Sequence, residues 1–180
     1  MSDSKSMKGQ KNKVSKLLIS QPKPSSENSP YYKLSERYGV EVDFKQFIQV
    51  EGVSYKEFRK EKINFLDYTA VIFTSRNAVD YYFQMCQDAK IEMPADMKYF
   101  CVSEQTANYL QKYITIRKRK LFVGSKTASD LIPILEKHPE EKFVFPCSDI
   151  RKGEIPGFLS AQGIEFTEAV LYKTVSSDLS

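Results

Sequence analysis

Hydroxyl and amide side chains gather in five short loops of this 180-residue chain. The loops are Ser20-Gln21, Thr74-Ser75-Arg76-Asn77, Ser103-Glu104-Gln105-Thr106, Gly124-Ser125-Lys126-Thr127 and Cys147-Ser148-Asp149. Each follows a short apolar run, and several precede a stretch with helical spacing. Free N–H groups and a partial positive charge make a helix N-terminus favourable to anions. Several such termini on one sheet edge would suit a ligand carrying many carboxylates or phosphates. The same Ser and Thr residues also serve as plain helix N-caps, each contributing about 1 kcal/mol to its helix. The residues leave both readings open.

Other chemistries find less support. The chain has no Gly-rich dinucleotide fingerprint and no phosphate-loop motif. Gly124-Ser125-Lys126-Thr127 matches the end of a phosphate loop but lacks the upstream glycine. His138 is the only histidine, which removes a Ser-His-Asp triad. Cys86, Cys101 and Cys147 are far apart, odd in number and embedded in apolar stretches. They read as buried free thiols in a reducing compartment, without zinc-ligand spacing. An enzyme built from these residues is expected to work without metal, thiolate or histidine.

Charge narrows the partners. The net charge of +4 resides in the first 16 residues, where five lysines face one aspartate, and the rest of the chain is neutral. A nucleic-acid binder usually shows a basic body or face. The dense run Arg117-Lys118-Arg119-Lys120 reads instead as a solvated strand edge, where charge discourages aggregation. No apolar run is long enough to span a bilayer, and the N-terminus lacks the apolar core of a signal peptide. A soluble cytoplasmic protein is expected, with neither nucleic-acid nor membrane partners.

The elements that must position the loops alternate regularly. Residues 1–13 are polar and aperiodic and read as a disordered tail. Leu17-Leu18-Ile19 is a strand. Ser29-Pro30 opens a helix carrying Tyr31, Leu34 and Tyr38, and Gly39 ends it. Residues 40–50 are extended, and a second helix covers Tyr55 to Phe65. Ala70 to Phe73, Tyr99 to Val102, Leu121 to Val123 and Phe143 to Phe145 read as buried parallel strands, the last closed by Pro146. Helical faces follow them: Val79, Phe83 and Cys86; Ala107, Leu110 and Ile114; Ala128, Leu131, Ile132 and Leu135; Ile155, Phe158 and Leu159. Residues 164–175 form a long final extended segment. Strands alternating with helices of this length predict an α/β fold with a parallel sheet.

Four segments together resemble a known family. Ala70-Val71-Ile72-Phe73 followed by Thr74-Ser75-Arg76-Asn77-Ala78-Val79 is similar to a strand-FTS-x-x-AV signature of uroporphyrinogen-III synthases. Val102 to Ala107 resembles that family's VG-x-x-TA loop. Phe145-Pro146-Cys147, Ile150-Arg151-Lys152 and Gly163-Ile164 resemble its strand, proline, basic helix and Gly-Ile segment. Leu171-Tyr172-Lys173-Thr174-Val175 resembles its VY-x-T crossover. The match runs in order from about Val14 to Ser180.

The resemblance implies two flavodoxin-like parallel-sheet α/β domains joined by a two-stranded crossover. On this chain, residues 14–44 would begin the first domain, 45–170 would form the complete second domain, and 171–180 would return toward the first. The first domain would then be incomplete, the chain a fragment, and that fragment inactive. The implied substrate is hydroxymethylbilane, a linear tetrapyrrole bearing acetates and propionates. The implied reaction closes it to uroporphyrinogen III, with loss of water and inversion of the last pyrrole ring. The implied enzyme is a cofactor-free monomer, a lyase of heme biosynthesis. A non-catalytic module that binds a polycarboxylate or tetrapyrrole is the alternative.

By motif position Tyr172 is the catalytic candidate, as hydrogen-bond or proton donor to the departing hydroxyl. Thr106 falls on a cleft-facing threonine. Ser75, Arg76, Ser103, Gln105, Lys126 and Thr127 are further candidates for substrate carboxylates. Ser103 stands where the family usually has glycine, which permits closer backbone approach, and Glu104 adds negative charge beside it.

Overall fold

Apolar runs of three or four residues, bounded by polar ones, form most of the strands. A computed structural model describes residues 14–177, so the polar segment 1–13 lies outside the described residues. The chain divides into two compact units. One holds the described residues up to Gln49 together with Ser176 and Ser177, and the other is Val50–Val175.

In the first unit, β1 (Lys16–Ile19) pairs in parallel with β2 (Glu41–Phe44), with Leu17 opposite Val42 and Ile19 opposite Phe44. Helix α1 (Pro30–Tyr38) connects them. Its Ser29 cap accepts the Tyr31 N–H, Pro30 occupies the first turn, and Gly39 closes it at φ 62°. That left-handed backbone suits glycine. Tyr31 and Tyr32 meet the Phe44 ring edge-on, with centroids 5.6 and 5.9 Å away.

Next come β3 (Ile48–Gly52) and α2 (Tyr55–Phe58). The extended stretch expected over 40–50 is thus two strands separated by residues 45–47. The helix expected from Tyr55 to Phe65 is also shorter. It tightens into a 3₁₀ turn at Arg59–Glu61, and Lys62 turns left-handed at φ 56°. This break brings Phe65 back into the core, 5.3 Å from Phe58 and 4.6 Å from Tyr82 by ring centroids.

The second unit then repeats strand and helix: β4 (Ala70–Phe73), α3 (Arg76–Ala89), β5 (Lys98–Cys101), α4 (Glu104–Leu110), β6 (Leu121–Val123), α5 (Ala128–Leu135), β7 (Phe143–Ser148), α6 (Glu154–Ala161) and β8 (Phe166–Ser176). The six-stranded sheet has the order β3-β8-β7-β4-β5-β6, and its pairs from β4 through β8 are parallel. This is a mixed α/β fold with a mostly parallel sheet.

The pleat sorts the core into two faces. Val71, Phe73, Tyr99, Cys101 and Val144 point to one cluster, with Ala78, Val79, Tyr82 and Phe83 of α3 and Ala107 and Leu110 of α4. Ala70, Ile72, Phe100, Phe143 and Phe145 point to the other, with Leu131 and Leu135 of α5 and Ile155 and Leu159 of α6. Helix α4 stops at Leu110; Ile114 lies past its end yet still packs on the first cluster.

Pro146 does not close its strand. It sits inside β7, opposite Ala169 of β8. Pairing of β7 with β4 ends at Val144 and continues only on the β8 side. The missing N–H of proline therefore falls where no ladder bond is made. The basic run Arg117–Lys120 forms a 3₁₀ turn (Lys118–Lys120) that leads into the edge strand β6. No helix among the described residues is long and apolar enough to cross a membrane.

Candidate functional site

From β4 the chain adds β5 and β6 on one side, then crosses over to place β7 and β8 on the other. In open α/β sheets the strand ends at such a reversal diverge and leave a crevice for ligands. An open groove of about 1000 Å³ runs along these carboxyl ends, lined by residues 74–77, 102–106 and 123–126. A neighbouring hollow of about 430 Å³ adds Ser148, Ile150, Arg151, Lys152 and Tyr172, and shares Thr74, Ser75 and Lys126 with the groove.

Tyr172 projects from β8 and is 8% exposed. Its hydroxyl lies 3.4 Å from Ser75 Oγ, across 97 positions of sequence. Ser75 caps α3 by accepting the Ala78 N–H at 3.1 Å. Either hydroxyl can donate to the other, and when Ser75 donates to Tyr172 Oη the phenol O–H is left to face the hollow. Burial raises the Tyr172 pKa, and the Ser75 hydrogen bond opposes the rise. The phenol is therefore a neutral donor near pH 7.

The other helix starts are more self-contained. Ser103 caps α4: its Oγ accepts the Thr106 N–H and also meets Thr106 Oγ1, both at 3.3 Å. Ser103 has φ −153° and ψ 160°, extended backbone open to any residue, so glycine is not required there. Thr106 lines the groove but is 4% exposed. At α5, Asp130 reaches back over the helix start. One oxygen accepts the Lys126 N–H (3.0 Å), the Thr127 N–H (2.8 Å) and the Thr127 hydroxyl (2.9 Å). These bonds, led by the Thr127 backbone, lower the Asp130 pKa. This N-terminus already holds its own carboxylate, and Thr127 has no donor left for another.

Cations rim the groove. Arg76 is exposed, with its guanidinium 5.4 Å from the Tyr109 ring centroid. Tyr109 in turn donates to Asp80 at 2.9 Å. Lys126 and Lys152 are exposed and make no ion pair among the described residues. Arg151 is committed elsewhere, forking onto both carboxylate oxygens of Glu168. Gln105 is exposed on the groove wall.

The chain matches the family model described as uroporphyrinogen-III synthase HemD over residues 29–180. It belongs to the uroporphyrinogen-III synthase family. No curated protein matches it in sequence. Solved structures of the family share its fold. A mutant uroporphyrinogen III synthase from Thermus thermophilus superposes with a TM-score of 0.68 at 13% identity, covering 91% of this chain and 64% of that one. The wild-type Thermus thermophilus enzyme gives 0.61 at 13% identity, covering 91% and 63%. A uroporphyrinogen-III synthetase from Helicobacter pylori gives 0.55 at 17% identity, covering 93% and 64%. The chain thus spans somewhat under two thirds of the length of these relatives.

Of the candidate residues read from the sequence, the structure brings Ser75, Arg76, Ser103, Gln105, Thr106 and Lys126 onto one groove, with Tyr172 and Thr127 on the adjoining hollow. Lys152 and Ile150 join them, although the motifs do not single them out as contacts. The signal for Lys152 was present in the basic segment after β7. The described residues also include one cluster with metal-ligand geometry, His138, Glu140 and Glu141. It lies at the opposite, amino-terminal end of the strands, and Lys98 pairs with both of its glutamates.

Proposed function

We propose that the protein acts as a uroporphyrinogen-III synthase, converting hydroxymethylbilane to uroporphyrinogen III with loss of water and inversion of the terminal ring. Family membership supports the reaction class. The observation that carries the site is the Tyr172 hydroxyl beside Ser75, at the edge of a groove rimmed by exposed cations. Because the relatives are longer than this chain, the activity is proposed for the protein as a whole.

In this reading, substrate carboxylates pair with Arg76, Lys126 and Lys152 and take hydrogen bonds from the groove wall. Tyr172 donates to the departing hydroxyl, which leaves as water. The Ser75 O–H supports the phenol oxygen as it gives up its proton. The remaining rate enhancement comes from holding the two chain ends of the tetrapyrrole in the geometry for closure. Such a site calls for few titratable groups.

The test supplies the whole protein with freshly generated hydroxymethylbilane and separates the cyclic products by isomer. Predominance of the type III isomer is expected. Tyr172→Phe should lower its rate of formation roughly 100-fold, the low end of what a positioned proton donor contributes. Binding of the tetrapyrrole with only the type I isomer of spontaneous closure would favour a non-catalytic binding module.

A further inference from the structure

The strand that carries Tyr172 is irregular beside it. Register between β7 and β8 shifts at Cys147/Ser148, so that Cys147 faces Val170 and Ser148 faces Tyr172. A bulge of this kind interrupts a ladder and re-aims a side chain. On its other edge β8 is held by the β3 side, where the Val53 N–H donates to the Leu171 carbonyl at 2.8 Å, so it is the β7 side that needs a substitute for regular ladder bonds.

Asp149 supplies the substitute. Its backbone N–H makes the last ordinary ladder bond, donating to the Tyr172 carbonyl at 3.2 Å, and its side chain adds what the ladder lacks. Its Oδ1 accepts the Thr174 N–H at 3.0 Å, so the residue grips β8 on both sides of Lys173. The same Oδ1 accepts the Ser148 hydroxyl at 2.8 Å and the Ile150 N–H at 2.9 Å. One carboxylate oxygen thus ties the β7–α6 loop to the strand two residues past Tyr172. Arg151 holds the loop from the other side, donating to the Ser148 and Asp149 carbonyls while it forks onto Glu168 of β8.

We propose that Asp149 is a positioning residue for Tyr172, fixing the strand so that the phenol stays beside Ser75 and faces the hollow. It touches no reacting atom. The donors around it favour the charged carboxylate, the Thr174 N–H most of all, and lower its pKa. The inference rests on the catalytic reading of Tyr172 and adds a residue that no motif marks.

A double-mutant cycle in the whole protein tests it. Asp149→Ala should lower kcat for the type III isomer about 10-fold while KM changes less than 2-fold. Asp149→Asn keeps a carbonyl oxygen toward Thr174 and should restore kcat to within about 3-fold of wild type. Asp149→Ala combined with Tyr172→Phe should be no slower than Tyr172→Phe alone, because residues acting through one another are non-additive. Ultraviolet titration of the Tyr172 phenol, taken as the difference from Tyr172→Phe, gives a readout without turnover. Its pKa should fall toward the ordinary tyrosine value in Asp149→Ala and stay raised in Asp149→Asn.

Additive losses, or an unmoved Tyr172 titration in a folded Asp149→Ala protein, would overturn the positioning role. Should Asp149→Ala fail to fold, the Asp149→Asn pair decides. In that case a loss as large in the Tyr172→Phe background as in wild type overturns the role. Full activity of Tyr172→Phe would instead remove the catalytic reading itself, and the phenol titration would still report whether Asp149 holds the ring.

Discussion

The rings of Tyr81 and Tyr172 stack, with centroids 5.0 Å apart and planes inclined by 20°. Tyr81 stands on α3 and Tyr172 on β8, so the contact links the helix that Ser75 caps to the strand that presents the phenol. Tyr81 is itself held. Its hydroxyl donates to the Val50 carbonyl at 3.2 Å, and its ring edge lies where a Cβ on Gly52 would come within 2.7 Å of Cε1. The ring therefore works as a backing plate for Tyr172. Tyr81→Ala should lower the type III rate several-fold, while Tyr81→Phe, which keeps the stack, should remain within about 2-fold. Such pairs contribute about 0.5–1.5 kcal/mol beyond area burial. Steady-state kinetics of the two variants checks this, and equal losses in both would place the effect in the Val50 hydrogen bond instead.

Asp130 should make stability depend on pH in acid. Its carboxyl pKa lies below the usual value because the Thr127 and Lys126 groups donate to it. A group whose folded pKa is depressed contributes stability above its unfolded pKa, about 4 for aspartate. That contribution is lost as pH falls through the folded value. Asp130→Ala should therefore melt below wild type at pH 7, and the gap should close progressively below about pH 4. Thermal melts of both proteins between pH 7 and pH 2.5 measure it. A gap independent of pH would mean that the carboxylate charge adds nothing to this helix start.

Most of the fold was legible because its signals are local. Ser29-Pro30 and Gly39 bracket α1, and the apolar tetrapeptide Ala70–Phe73, bounded by polar residues, fits a strand buried on both faces, as β4 is. The departures arise where tertiary packing decides. Lys62 carries no mark of a left-handed residue; burial of Phe65 against Phe58 and Tyr82 demands the break. Pro146 is a strand breaker by propensity, but β7 loses its β4 partner just before it. The site was legible as a set of loops and only partly as chemistry. A threonine opening a helix looks the same in sequence whether it awaits a ligand, as proposed for the groove wall, or is already taken, as Thr127 is by Asp130. The pairing of Tyr172 with Ser75 depends on strand order, which no local pattern encodes. Asp149 was legible as a member of a strand-end loop but its role was not, since that role comes from a register shift.

A side chain at Gly124 should carry a cost. This glycine ends β6 and turns the chain toward α5. A Cβ there would lie 3.0 Å from the Val102 carbonyl oxygen, 3.2 Å from Leu131 N and 3.3 Å from the Asp130 carbonyl carbon. All three are backbone atoms of a packed strand end and helix, so none can swing aside as a flexible side chain would. Accommodation must instead separate α5 from the β5 end, disturbing Leu131, which is fully buried against Phe100 and its neighbours. Overpacking of this kind costs about 1–3 kcal/mol. Gly124→Ala should therefore lower the denaturation midpoint in urea. It should also weaken tetrapyrrole binding, since Lys126 rides on the same turn. Gly153→Ala is the control: no heavy atom would lie within 4 Å of a Cβ there, and its φ of −85° suits alanine. If both variants unfolded at the same midpoint as wild type, the close approach at Gly124 would be relieved by local shifts too small to matter.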